Sequence, residues 1–320
     1  MSEVITIGEP VVTFASTEPD VSMADSLSWQ KILGGAELNV AIGVSRLGHS
    51  VDYISQVGTD PFGEYTINTI KSHNVGTKYI SEDTVNWTGH QLKELVTKGD
   101  PKTFNYRTGS AAAHLTSETI DNIDLTGVKF AHMSGIFPAI SDTARDTFKK
   151  LYARLLDAGI PTTFDPNLRP ALWGDNDKMI KTINELAENA DIVLPGVNEG
   201  KILMGSSDPE AIADFYLQGS KTHTVIVKTG SEGAFVKTTD GDTYTVGGFK
   251  VDKVVDTVGA GDGFALGVIT ALLEGKPMKS AVLRGNAVGA MQVQTPGDND
   301  GYPDPAKLAK FYETEGVSEN

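Results

Sequence analysis

The 320-residue chain has no cysteine, which excludes disulfides, a thiolate nucleophile and any cysteine-based metal site. It is also short of positive charge, with 27 Lys and Arg against 42 Asp and Glu and a formal net charge of -15. Such a field repels nucleic acid and anionic membranes as general partners, although a few converging arginines can still hold a small anion. No apolar run approaches a membrane span, and the first residues are acidic and β-branched, not basic followed by apolar. The expectation is a cytoplasmic chain without a leader. Gly-x-x-x-x-Gly-Lys-Ser/Thr does not occur, and the glycines near Gly259 do not fit Gly-x-Gly-x-x-Gly, so P-loop and dinucleotide readings lose their support. The histidines form no His-Glu-x-x-His pattern for zinc. What remains is an ordinary globular composition, 39% hydrophobic and 22% charged, long enough to bury a sizeable core.

What is present centres on residues 256–270, Asp-Thr-Val-Gly-Ala-Gly-Asp-Gly-Phe-Ala-Leu-Gly-Val-Ile-Thr. Gly259, Ala260 and Gly261 permit a tight turn with bare backbone N-H groups, and Phe264, Ala265, Val268, Ala271 and Leu272 follow at helical spacing. First-turn N-H groups lack intrahelical partners and the helix dipole is positive there, so the stretch favours an anion such as phosphate. Asp262 sits at the mouth of that site. An acid in a first turn is often only a stabiliser of the helix. Within Gly-Ala-Gly-Asp-Gly, a carboxylate beside a transferring phosphoryl group can instead take the proton of an attacking hydroxyl while the N-H groups absorb developing charge.

Along the chain, apolar patterning predicts strands at 4–7, 11–15 and 51–57, with a helix from Ala36 closed by Gly48 and a helix started by Asp60-Pro61. Between 77 and 107 the character becomes all-strand, with short strands at 79–80, 90–96 and 103–106 and a turn at 98–101. Such an insert reads as a small separate sheet at about 77–110, with possible further strands from 9–33, or else as an antiparallel extension of the main sheet. Alternation then resumes. Strands are expected at 128–134, 161–165, 191–194 and 224–228, and a hairpin around Asp240-Gly241. Helices are expected from Ser141 to about 158, to about 189, from Asp208-Pro209 to 219, over 277–293 and from Pro305. The whole, 1–320, reads as one α/β domain, a doubly wound, mostly parallel sheet carrying a lid.

Residues 256–270 resemble the C-terminal signature of the PfkB, or ribokinase-like, carbohydrate kinases. Gly34-Gly35-Ala36-Glu37-Leu38-Asn39-Val40-Ala41, with Arg46-Leu47-Gly48 and Gln56-Val57-Gly58, resembles the family's other signature. The two stand over 200 residues apart, in the right order. The resemblance implies a ribokinase-like fold with a small β lid, ATP with Mg2+, and a homo-oligomer, in several members a dimer through the lid. It implies Asp262 as catalytic base with Gly259, Ala260 and Gly261 as the anion hole. It places nucleotide contacts at Lys228, Thr229, Gly230, Gly233, Gly259, Gly261 and Asn286. Glu199 matches the family's Asn-x-x-Glu motif, serving magnesium indirectly, but Gly196 stands where that motif has Asn.

For the acceptor, the resemblance places Gly34, Gly35, Asn39 and Asp298 on the sugar, with Asn105, Tyr106 and Arg107 from the lid and Arg169 from Asp165-Pro166-Asn167-Leu168-Arg169-Pro170. Two arginines suit a carboxylate or phosphate, and the pair is similar to the branch that phosphorylates 2-keto-3-deoxygluconate. That branch often has tyrosines where this chain has Gln91 and Asn105. The expectation is therefore a sugar-acid kinase. A neutral-sugar kinase of the fructokinase or ribokinase type, or a non-catalytic sensor on the same fold, are the competing readings.

Overall fold

A computed structural model describes residues 2–98 and 101–319. Its strands are β1 (Val4–Ile7), β2 (Val11–Ser16), β3 (Trp29–Gly34), β4 (Val51–Gly58), β5 (Gly76–Asp83), β6 (His90–Lys93), β7 (Thr103–Tyr106), β8 (Phe130–Ser134), β9 (Thr162–Asp165), β10 (Ile192–Val193), β11 (Thr224–Lys228), β12 (Gly233–Thr238) and β13 (Thr243–Gly247). The helices are α1 (Ala36–Arg46), α2 (Pro61–Ser72), α3 (Glu118–Asp121), α4 (Asp142–Asp157), α5 (Pro170–Trp173), α6 (Asn176–Ala187), α7 (Val197–Leu203), α8 (Pro209–Tyr216), α9 (Ala260–Leu273), α10 (Met278–Gln292) and α11 (Pro305–Glu315).

The large sheet has nine strands in the order β13-β12-β11-β10-β9-β8-β1-β4-β5, parallel from β11 to β5 and antiparallel through β12 and β13. Strand alternation sends neighbouring side chains to opposite faces. Val4, Val51 and Tyr53 therefore join the core shared with α1, α9 and α10, while Ile5, Ile7 and Ile54 join the core under α4, α6 and α8. Residues Asp262 through Ala271 of α9 are buried on every side, as expected of a helix without a polar face. It approaches α10 so closely that a Cβ on Gly267 would lie 2.8 Å from the Arg284 carbonyl oxygen.

The ends of several elements follow from local chemistry. Asp60 caps α2 by accepting from Phe62 N-H (2.8 Å) and Gly63 N-H (3.0 Å), and its other oxygen accepts from Thr88 N-H at 2.7 Å. Ser141 caps α4 through Ala144 N-H. Among the described residues no helix is long and apolar enough to cross a membrane.

The small sheet has the order β3-β2-β6-β7. Two of its bounds differ from the sequence expectation, while β2 and β3 come from the stretch 9–33 where further lid strands were expected as possible. Residues 79–80 belong to β5, which pairs parallel with β4 at the edge of the large sheet, so the inserted part begins after Asp83 and not at 77. Strand β2 leaves the large sheet for the small one, because Gly8-Glu9-Pro10 interrupts it after β1. Strand β3 completes the small sheet by pairing antiparallel with β2, although Gln30 and Lys31 give it a polar look. The ladder of β6 stops at Lys93 instead of reaching 96, where Asp20 takes over by accepting from Thr97 N-H and Thr97 Oγ1. The expected turn at 98–101 falls partly on Gly99 and Asp100, outside the described residues.

Candidate active site

Parallel sheets place ligands beyond the carboxyl ends of their strands, and here a cavity of about 730 Å³ opens at that edge. Gly259 begins α9 in the left-handed region at φ 77°, and a Cβ there would lie 1.8 Å from the Asp298 carbonyl oxygen. Only glycine fits that turn. The Gly259 carbonyl accepts from Tyr302 Oη at 2.7 Å and from Gly263 N-H at 2.8 Å. Ala260 N-H is used by Thr257 O, so Gly261 and Asp262 supply the first-turn donors with no intrahelical carbonyl to reach.

Asp262 is 8% exposed and stands between two asparagines. Asn39, on α1, donates to its Oδ2 at 2.9 Å, and Asn167 donates to its Oδ1 at 3.4 Å. Asn299 donates to Asn39 Oδ1 at 3.0 Å, which fixes the way the Asn39 amide faces, and Arg46 in turn donates to the Asn299 carbonyl. Asn167 itself adopts φ 42°, an uncommon backbone for a residue with a Cβ, with its N-H bonded to Asp165 Oδ1. Burial pushes the Asp262 carboxyl up to about 7; the Asn39 bond works against that rise, the Asp165 charge adds to it, and Arg169 and Lys228 oppose it. A carboxylate with that affinity is suited to exchange a proton near neutrality.

Opposite Asp262, Lys228 ends β11 and donates to Asp165 Oδ2 at 2.6 Å. Burial opposes the Lys228 charge, but the carboxylates of Asp165 and Glu199 outweigh it and hold the ammonium above its usual range. Both Glu199 oxygens are engaged, Oε1 by Leu168 N-H at 3.0 Å and Oε2 by Gly196 N-H at 2.7 Å. Glu199 thus ties the start of α7 to the loop that carries Asn167 and Arg169, and burial raises its carboxyl. Thr229 and Gly230 line the same cavity, and Gly230 and Gly233 both adopt positive φ.

A second cavity of about 350 Å³ adjoins the first and shares Lys228, Gly230, Ser231, Thr257 and Gly261 with it. Its walls are largely apolar, from Phe249, Val251, Val254, Phe264 and Val293. On the far side of the large cavity stand Gly35, Arg107, Arg169 and Asp298. The ensemble is a polar chamber with a buried carboxyl and two arginines, joined across a helix N-terminus and a lysine to an apolar slot. That arrangement can hold a hydroxylated anion and a nucleotide end to end.

Residues 1–305 match the family described as pfkB family carbohydrate kinase. The chain belongs to that family. It is 42% identical over 310 residues to a 2-dehydro-3-deoxygluconokinase of Bacillus subtilis (strain 168), covering 97% of this chain and 95% of that protein. The crystal structure of a PfkB protein from Polaromonas sp. JS666 superposes with a TM-score of 0.88 at 39% identity, covering 97% of this chain and 99% of that one. An E. coli protein assigned as a ribokinase II, solved with ATP and Mg2+, superposes with a TM-score of 0.89 at 26% identity over 98% of this chain and 100% of that one.

In this pfkB-family kinase most of the expected site residues converge on the two cavities. Gly34 does not line them, since its open side is filled by the Asp298 carboxylate, with Oδ2 2.1 Å from where a Cβ would be. Asn105 and Tyr106 also stay outside the cavity. They lie on β7, the fully exposed edge strand of the small sheet; Asn105 is paired across from cavity-lining Gln91, while the Tyr106 ring stacks on His90 at 5.0 Å. Asn286 lines the apolar slot but spends its amide hydrogens on the Val246 and Gly247 carbonyls, both at 3.1 Å. It pins the end of β13. Sequence reasoning passed over Glu9, Asp165 and Asn167, each of which follows or ends a central strand of the sheet. Their position at a strand's carboxyl end was the available signal.

Proposed function

We propose that this carbohydrate kinase phosphorylates a sugar acid, with 2-keto-3-deoxygluconate (2-dehydro-3-deoxygluconate) as acceptor and its 6-phosphate as product. The observation that carries the reading is Asp262, buried and raised to about 7, at the N-terminus of α9 in one chamber with Arg107 and Arg169. Arg169 donates to the Leu168 carbonyl at 2.9 Å and makes no ion pair among the described residues, leaving its charge for a substrate carboxylate. Similarity to the B. subtilis 2-dehydro-3-deoxygluconokinase supports the same acceptor.

In this reading the apolar slot takes the nucleotide base, and Lys228, Thr229 and Gly230 lie along its phosphates. Asp262 takes the proton of the primary hydroxyl as its oxygen bonds to the γ-phosphorus, the bond to the bridging oxygen breaks, and ADP leaves with the electron pair. The N-H groups of Gly261 and Asp262 receive the charge that develops on the phosphoryl oxygens. No group of three or more acidic or histidine side chains able to hold a metal ion occurs among the described residues. Glu199 lines the cavity as a carboxylate whose oxygens already accept two backbone N-H groups, so it would serve a Mg2+ accompanying the nucleotide through water and not as a direct ligand, and the ion would supply neutralisation of phosphate charge. Closing of the small sheet over the sugar would exclude water. The apolar edge of that sheet, with Phe104 57% and Tyr106 45% exposed, supports a homo-oligomer formed through the lid.

The test is an ADP-release screen with ATP and Mg2+ against keto-deoxy acids, aldonic acids, hexoses, pentoses and nucleosides. The reading expects the highest kcat/KM for 2-keto-3-deoxygluconate. A clear preference for fructose or ribose would replace it with a neutral-sugar kinase, and absence of sugar-dependent ADP release across the screen would replace it with a sensor.

A further inference from the structure

Glu9 lies where the chain passes from the large sheet to the small one, between β1 and β2, and its side chain is wholly buried at 0% exposure. Its two oxygens are spent on the far end of the insert: Oε2 accepts from Arg107 Nε at 2.6 Å, and Oε1 accepts from Ser110 Oγ at 2.6 Å. Arg107 directly follows β7 and is itself only 12% exposed. Both residues line the large cavity.

The guanidinium has five donors in a fixed plane. A bond at Nε takes one and leaves the four Nη hydrogens for a ligand in the chamber. Charge-assisted bonds in a buried setting are short and directional, so a carboxylate that is itself immobile transfers its immobility to the arginine. The pairing also cancels most of the net charge of Arg107, so that its contribution to substrate binding comes from direction more than from long-range attraction. Unpaired, a long side chain at the end of an exposed edge strand would sample many rotamers, and binding would have to select one of them.

We propose that Glu9 is a positioning residue for sugar selection: it holds Arg107 in the orientation that meets the acceptor. This rests on the functional reading above for the identity of the acceptor. The rival account is a purely structural clasp between the two sheets, in which Glu9 would affect folding and every substrate alike.

A double-substitution cycle separates the two, with steady-state kinetics on the full-length enzyme using 2-keto-3-deoxygluconate and ATP as varied substrates. Glu9→Gln should raise KM for the sugar acid on the order of tenfold or more while kcat and KM for ATP change less than about threefold. In an Arg107→Ala background the same substitution should change KM less than about twofold, because the group it acts through is gone. Glu9→Asp serves as a second probe that keeps the buried charge but shortens the reach, and it should show the same dependence on Arg107. Equal KM changes in both backgrounds, a matching rise in KM for ATP, or no rise at all would overturn the assignment. If the parent enzyme turns over another sugar instead, the functional reading fails, and the same cycle run on that sugar still decides the role of Glu9.

Discussion

Glu37 occupies the first turn of α1 and is 0% exposed, and no partner among the described residues meets its carboxylate oxygens with good hydrogen-bond geometry, its own backbone and Ser134 being the groups that come nearest to doing so. Burial pushes its carboxyl up from 4.5 to about 8; hydrogen bonding from its own backbone works against the rise, the nearby Asp262 charge adds to it, and Arg107 and Ser134 oppose it. Below its folded value the residue binds a proton that the unfolded chain releases above about 4.5. Stability from this group is therefore complete at acid pH and is lost as pH rises towards 8, by about 1.4 kcal/mol per pH unit at most. Glu37→Gln, which imitates the neutral acid in shape, removes that dependence. Urea unfolding of parent and variant should give similar stabilities near pH 5, with the variant ahead by roughly 3 kcal/mol near pH 7.5. A stability difference that stays flat between those pH values would refute a buried Glu37 held neutral by its surroundings.

Other consequences concern the site. With Asp262 at about 7, kcat/KM should fall about tenfold per pH unit below that value. Asn39→Ala removes a donor that favours the ionised form, so the acid limb of the pH-rate profile should move to higher pH. Gly259→Ala places a Cβ against the Asp298 carbonyl at φ 77°, at a backbone cost of about 1–2 kcal/mol before the clash; a lower melting temperature and a collapse of kcat are the expected readouts. Tyr302→Phe deletes the bond to the Gly259 carbonyl and should cost about 1 kcal/mol in chemical unfolding.

The legible parts of this chain were those where one residue type answers one local demand. Asp60-Pro61 announced α2, Asp240-Gly241 announced the turn between β12 and β13, and the glycines with Asp262 announced the start of α9. Strand β3 was harder, because Gln30 and Lys31, on opposite faces of an edge strand, are both exposed, and its pairing with β2 is decided by tertiary contact. Residues 79–80 were misplaced for a related reason: β5 is an edge strand with no fully buried position, so its pattern resembles that of the lid. Around the cavities, the residues that hold the motif residues in place were not read from the sequence. Glu9, Asp165 and Asn299 act through partners distant in sequence, at separations of 98, 63 and 260 residues, and no local pattern records such pairings. Asn105 and Tyr106 show the reverse, since their neighbourhood to Arg107 in sequence does not bring them into the cavity.

The central claim is that Asp262 removes the proton of the attacking hydroxyl, and Asp262→Asn tests it most directly. The amide keeps the shape and can still hydrogen-bond Asn39 or Asn167, but it cannot accept the proton. Single-turnover phosphoryl transfer should slow by about 10²–10⁴-fold, while calorimetric affinity for ATP stays within about threefold of the parent. A variant that transfers phosphoryl groups within about tenfold of the parent rate would contradict the account.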